Sequence, residues 1–163
     1  MIEKPPVNRN NYGGGKGGSG GGYSPGLPVD YLKGGYFDEK GYIHRELLET
    51  KAQEIAKRLY ECEQRLTTNQ FRRFYDYVRA LDRKLELMGD FKSIEGDVAK
   101  IGAFAAAAVG RGNAPDEFKI FIDNNIEKTI DANSFRKGFL EHLQAVLAFH
   151  GYFVEKNKRG SRR

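Results

Sequence analysis

Apolar side chains recur along this chain at steps of three and four, the period of a helix, not at the alternating step of a strand. The clearest run is Phe71, Phe74, Tyr75, Val78, Leu81, Leu85 and Met88, whose separations of 3, 1, 3, 3, 4 and 3 keep them on one helical face. Thr67 precedes that run and Gln70 follows three residues later, the pattern of a capping box, and Gly89 with Asp90 ends it. Upstream, residues 46–63 carry Leu47, Leu48, Ala52, Ile55, Ala56, Leu59 and Cys62 on a broad stripe. Downstream, residues 91–109 hold Ile94, Val98, Ile101 and the alanine run 105–108, whose small side chains let another helix come close. The glycines of Gly110-Arg111-Gly112 stop that helix. A fourth helix has Pro115 placed for its first turn and carries Phe118, Phe121, Ile122 and Ile126. The last begins near Asn133 and Ser134 and runs to about residue 153 through Phe135, Phe139, Leu140, Leu143, Val146, Leu147 and Phe149. The pattern predicts an all-α protein, a compact bundle of about five helices.

The ends read differently. Residues 13–22 contain eight glycines in ten, and glycine loses the most backbone entropy on ordering while offering no side chain to bury. Residues 1–42 are therefore expected to be a flexible arm, residues 43–155 the helical domain, and residues 156–163 a basic tail. Tyr12, Tyr23, Tyr31 and Tyr36 interleave with glycine in the arm, as in RNA-contacting tails, although a solvated leader with no role explains them as well. The chain of 163 residues suits one domain. Its longest weakly polar stretch, 101–109, is far short of the roughly 20 residues that cross a bilayer. The first eleven residues lack the apolar core of a secretory signal, so the expected location is cytoplasmic.

The net charge of +5 invites a polyanion, but its placement matters more than its sum. Residues 156–163 alone contribute +5, and the body from Tyr31 to Glu155 holds 19 basic against 20 acidic residues. Any binding face on the body must come from uneven placement. Residues 65–84 carry Arg65, Arg72, Arg73, Arg79, Arg83 and Lys84 against Asp76 and Asp82, whereas residues 116–131 carry five acidic residues against Lys119 and Lys128.

Catalytic chemistry finds little support. The Gly-x-Gly-x-x-Gly matches in the arm lack the strand and helix that a dinucleotide site requires, and no nucleotide-cradling loop motif occurs. His44, His142 and His150 have no metal-ligand spacing, and His150 falls among apolar positions as a hydrogen-bonded core histidine would. The lone Cys62 sits on the apolar stripe of the first helix, where burial makes a thiol inert. Asp116, Glu117, Asp123, Glu127 and Asp131 read as the solvated face of a helix, not a cation site. The expectation is a protein with no catalytic residues, no metal and no cofactor.

A basic face remains. On a helical projection Arg72, Arg79 and Arg83 fall within about 40° of one another, away from the apolar stripe, with Arg73 and Lys84 forming a second row. Such an edge can follow a phosphate backbone, gaining affinity by displacing counterions and not by reading bases. The competing reading is that Asp76 and Asp82 neutralise these arginines in ordinary surface pairs.

The run from Leu66 through Thr67, Thr68, Asn69, Gln70, Phe71, Arg72 and Arg73 to Tyr75, the alanine-rich helix closing in Gly110-Arg111, and the segment from Phe139 to His150 resemble the small subunit of the type III-A CRISPR effector, the Csm complex. The resemblance covers about residues 66–152; the arm and the tail fall outside it. It implies a non-catalytic helical subunit of an antiviral ribonucleoprotein. Several copies would pack along the particle beside other Csm-complex subunits, supporting the duplex of CRISPR RNA and target RNA. Matched positions imply Arg72, Arg73 and Arg111 as RNA-binding residues, and Arg79, Arg136 and Lys137 join them from their places on helix faces. Two alternatives stay open: a helical protein-protein adaptor that touches no RNA, and an unrelated RNA-binding protein that relies on its tails.

Overall fold

The computed structural model describes residues 26–28 and 30–162. Its elements are a short 3-10 turn at Arg45–Leu47, then helices α1 (Thr50–Glu61), α2 (Thr68–Met88), α3 (Lys92–Gly110), α4 (Asp116–Lys128) and α5 (Glu141–Gly160), the last preceded by a π-helical stretch at Ser134–Leu140. The all-α expectation of five helices holds. The glycine run 13–22, with Tyr12 and Tyr23, lies outside the described residues.

The termini of α2 follow from its sequence. Gln70 N–H donates to the Thr67 hydroxyl at 3.2 Å while the Gln70 side chain accepts from the Thr67 N–H at 2.8 Å, closing the expected capping box. At the other end Gly89 takes φ 71°, the left-handed cap that glycine adopts without a Cβ clash. The short link to α3 makes the two helices antiparallel. Tyr77 stacks edge-on against Phe104 with centroids 5.2 Å apart, and the Lys84 ammonium meets Asp97 at 2.8 Å. On the far side of α3, Gly102 admits α4, because a Cβ there would lie 3.3 Å from Ile126 Cδ1.

The core is one cluster in which Phe71, Phe118, Phe121, Phe135 and Phe139 are fully buried together with Leu59, Ile101 and Leu143. Burying side chains of this size supplies the main favourable free energy of folding, on the order of 1.5–3 kcal/mol each.

The structure differs from the expected pattern in four places. The first helix begins at Thr50, and Arg45–Leu47 forms a separate 3-10 turn that buries Leu47. The arm expected to reach Tyr42 lies against the body from Asp30 onward, with Leu32 and Tyr36 only 3% and 2% exposed. Antiparallel pairing of Phe37 with Ile43 closes this strap into a small hairpin. The last helix starts in π geometry: Ser134 N–H donates to the Asp131 carboxylate at 2.7 Å, and Gly138 sits against the Tyr36 ring. Finally α5 runs through the first part of the basic tail to Gly160, drawing Lys158 into an ion pair with Glu155 one turn back.

Candidate nucleic-acid interface

Helix α2 is central to the candidate face, and its neighbours set which of its residues meet solvent. Phe71, Val78, Leu81 and Leu85 face the core; Tyr77 and Lys84 turn toward α3. Toward α5, Thr68, Arg72, Tyr75 and Asp76 border a shallow depression with Gln144, Leu147, Ala148 and Gly151. Arg136, just before α5, meets Asp82 at 2.6 Å. The early part of α2 thus faces the late part of α5, so these two helices are antiparallel as well.

This arrangement brings three of the six expected RNA-binding residues to one end of the bundle. Arg72 and Arg73 lie in the first turns of α2, both exposed. Arg111 caps the C-terminus of α3 and is exposed; the next residue, Gly112, has φ 70° and lies beside Gln64 in the loop that leads into α2. Arg79 is exposed further along the same helix, its guanidinium donating to the Tyr75 hydroxyl at 3.5 Å, a contact that raises its already high pKa. Lys137 is exposed on the π-helical stretch at the other end, apart from the first three.

Arg136 stands apart from the group. It is half-buried, its Nε donates to the Asp82 carboxylate and its terminal nitrogen to the Asp82 carbonyl at 3.4 Å, so it braces α2 against the segment leading into α5. This brace bears directly on the charge of α2. With Asp82 engaged by Arg136, and Asp76 in no ion pair among the described residues, Arg72, Arg73, Arg79 and Arg83 are left without a carboxylate partner within ion-pair distance among those residues. Among the described residues Asp76 and Asp82 form no ion pair with these arginines, though both charges act on Arg79 at longer range. Elsewhere basic residues do find carboxylates, Arg58 with Glu117 between α1 and α4 and Lys119 with Asp123 one turn along α4.

The Cys62 thiol and the His142 and His150 rings are buried away from this face. The Cys62 thiol donates to the Arg58 carbonyl at 3.2 Å, and burial pushes its pKa up to about 11. His142 Nδ1–H donates to the Leu47 carbonyl at 2.6 Å while Nε2 accepts from the Tyr31 hydroxyl at 3.3 Å, and burial lowers its pKa to about 4. His150 was expected to be hydrogen-bonded in the core. It is in the core, edge-on to Phe71; no hydrogen bond of ordinary geometry reaches either ring nitrogen among the described residues, although the Leu66 backbone interacts with the ring. Burial lowers its pKa too, the Leu66 backbone opposing only in part. Such a ring stays neutral and packs as an aromatic.

Sequence reasoning missed two contributors. Tyr31 and Tyr36 belong to the folded body: the Tyr36 hydroxyl donates to Asn125 Oδ1 at 2.8 Å, and the Asn125 amide donates to the Tyr31 hydroxyl at 3.0 Å. The aromatic density of residues 31–37 was the available signal, hidden by the surrounding glycines. The second is the group Arg65, Asn157 and Lys158, which only the antiparallel placement of α5 brings to the start of α2.

No curated protein and no solved structure matches the chain. A family model, Csm2 Type III-A, matches residues 43–156, the span from the strap's end to the late turns of α5. Because that match covers most of the chain, and the fold is the expected helical bundle, this protein belongs to the Csm2 Type III-A family.

Proposed function

We propose that this chain, a structural subunit of the type III-A Csm complex by its family, holds RNA through the arginine row of α2 and makes or breaks no bond itself. The observation that supports the reading is the set of four guanidinium groups on α2 with no carboxylate within ion-pair distance among the described residues, Asp82 being engaged by Arg136. Arginine contacts to phosphate oxygens are charge-assisted and often bidentate, and they carry no base code, which suits a subunit that must accept any guide sequence. Arg72, Arg73 and Arg111 form the principal contact at one end, Arg79 extends it along α2, and Lys137 lies at the far end. Arg136 serves the interface through Asp82, by holding that carboxylate in an ion pair of its own. The partners are CRISPR RNA and target RNA, and the working compartment is the cytoplasm. Exposed Leu87, Met88 and Ile130, 86%, 62% and 74% accessible, offer apolar contact to other Csm subunits or further copies of this chain at the end away from Arg72.

The test is the double variant Arg72→Glu/Arg73→Glu in the assembled complex. RNA affinity falls, and the slope of log affinity against log salt flattens by roughly 0.7–0.9 per lost phosphate contact. A salt slope equal to that of the unaltered complex overturns the reading.

A further inference from the structure

Beside the arginine row lies a cleft of about 400 Å³ between the loop joining α1 to α2 and the last turns of α5. Its walls combine Tyr60, Arg65, Thr68, Asn69, Asn157 and Lys158. The Arg65 guanidinium rests over the Tyr60 ring, 5.4 Å from its centroid, and Phe153 stacks on the same ring with centroids 6.2 Å apart. A cation held on an aromatic plane is oriented without being neutralised. Lys158 shares its charge with Glu155 at 2.8 Å, but both side chains are 61% exposed, and such a surface pair is readily exchanged for another anion. The neutral side chains differ from those of a plain phosphate patch. Thr67 and Gln70 use their polar groups on each other in the cap, whereas Thr68, Asn69 and Asn157 take no part in it. A hydroxyl and two amides, each able to donate and accept, therefore line the same cleft as two cations.

We infer that this cleft takes a ribose-phosphate unit of an RNA strand leaving the α2 arginines, with Arg65 and Lys158 on the phosphate and the Thr68, Asn69 and Asn157 side chains reading the 2′-hydroxyl. Resting on the RNA-binding reading of α2, the assignment adds a selectivity that the arginines cannot supply, since a phosphate contact does not distinguish RNA from DNA while a 2′-hydroxyl does. Tyr60 already packs against Arg65 and Phe153, which favours backbone over a stacked base in the cleft. Two of its residues, Asn157 and Lys158, lie beyond the residues matched by the family model, in the last turns of α5.

The full-length chain, titrated at low salt with fluorescent oligouridine and with its 2′-deoxy counterpart, tests the site. The unaltered chain binds the ribo form about tenfold more tightly, the effect of one or two hydrogen bonds. Asn69→Ala/Asn157→Ala brings the two affinities together by weakening the ribo form alone, and Arg65→Ala weakens both. Equal binding of the two oligomers by the unaltered chain overturns the assignment, as does a ribo preference that survives Asn69→Ala/Asn157→Ala. In either case continued loss of binding in Arg72→Glu/Arg73→Glu leaves the α2 reading standing, and binding indifferent to that pair sinks both. The altered positions are exposed or on the cleft wall, and an unchanged helical circular dichroism spectrum confirms that each variant is folded.

Discussion

Gly138 is the tightest glycine of the described residues: a Cβ placed on it would lie 2.4, 2.5 and 2.9 Å from three atoms of the Tyr36 ring. The ring cannot swing out of the way without breaking contacts of its own, because it is 2% exposed and its hydroxyl donates to Asn125 Oδ1 at 2.8 Å. Gly138→Ala therefore overpacks the junction of strap and π-helical stretch and costs about 2 kcal/mol, lowering Tm by roughly 4–8 °C. The coupling is checked in a Tyr36→Ala background, where the same substitution loses most of its cost because the obstructing ring is gone. Equal losses in both backgrounds would show that Gly138 is held by something other than Tyr36. Periodicity could not reveal this contact, since the partner lies in a segment whose glycines read as arm, and a glycine next to two apolar residues carries no sign of what packs on it.

Among the elements, α2 was the most legible, because its apolar spacing, start signal and stop signal all agree and tertiary packing reinforces them. Thr67→Ala removes one half of the capping box and leaves Gln70 N–H without its acceptor, costing about 1 kcal/mol. Thermal unfolding followed by circular dichroism registers this as a fall of roughly 2–4 °C, whereas Thr67→Ser, which keeps the acceptor, moves the midpoint little. The basic row on this helix was equally visible from the projection, but its freedom from neutralising partners was not. Asp82 stands three residues from Arg79 and one from Arg83, and only the approach of Arg136 from a distant segment shows that its ion pair is with neither, although its charge still acts on Arg79. The far end of α5 was hidden for a related reason: beyond residue 155 no apolar stripe marks the helix, which continues there on local pairs such as Glu155 with Lys158 and looks like an unstructured basic tail.

At the scale of the whole molecule, His142 is the point where separate parts of the chain meet. Its ring lies between the Leu47 carbonyl of the 3-10 turn, the Tyr31 hydroxyl of the strap and the Phe121 ring of α4, whose centroid is 5.6 Å away. Burial holds its pKa at about 4, below the usual 6.5 that it regains on unfolding. Between those two values the unfolded chain binds a proton that the folded chain refuses, so stability is full above about pH 6.5 and declines as pH falls toward 4. His150, also lowered by burial, adds to the decline in the same direction. The carboxylates enter later: Glu117, held below its usual range against Arg58, and Asp131, held by the Ser134 N–H, lose their contribution only as pH passes down through the carboxylate range. Chemical denaturation at a series of pH values should therefore show a loss of a few kcal/mol beginning near pH 6.5, well above the point at which carboxylates titrate. In His142→Gln, which keeps an amide donor for Leu47, the chain is less stable at neutral pH but its decline between pH 6.5 and 5 is shallower, leaving the part due to His150. An unaltered slope in that variant would mean that the ring is solvated in the folded state, and that the strap, the 3-10 turn and α4 are not joined through it.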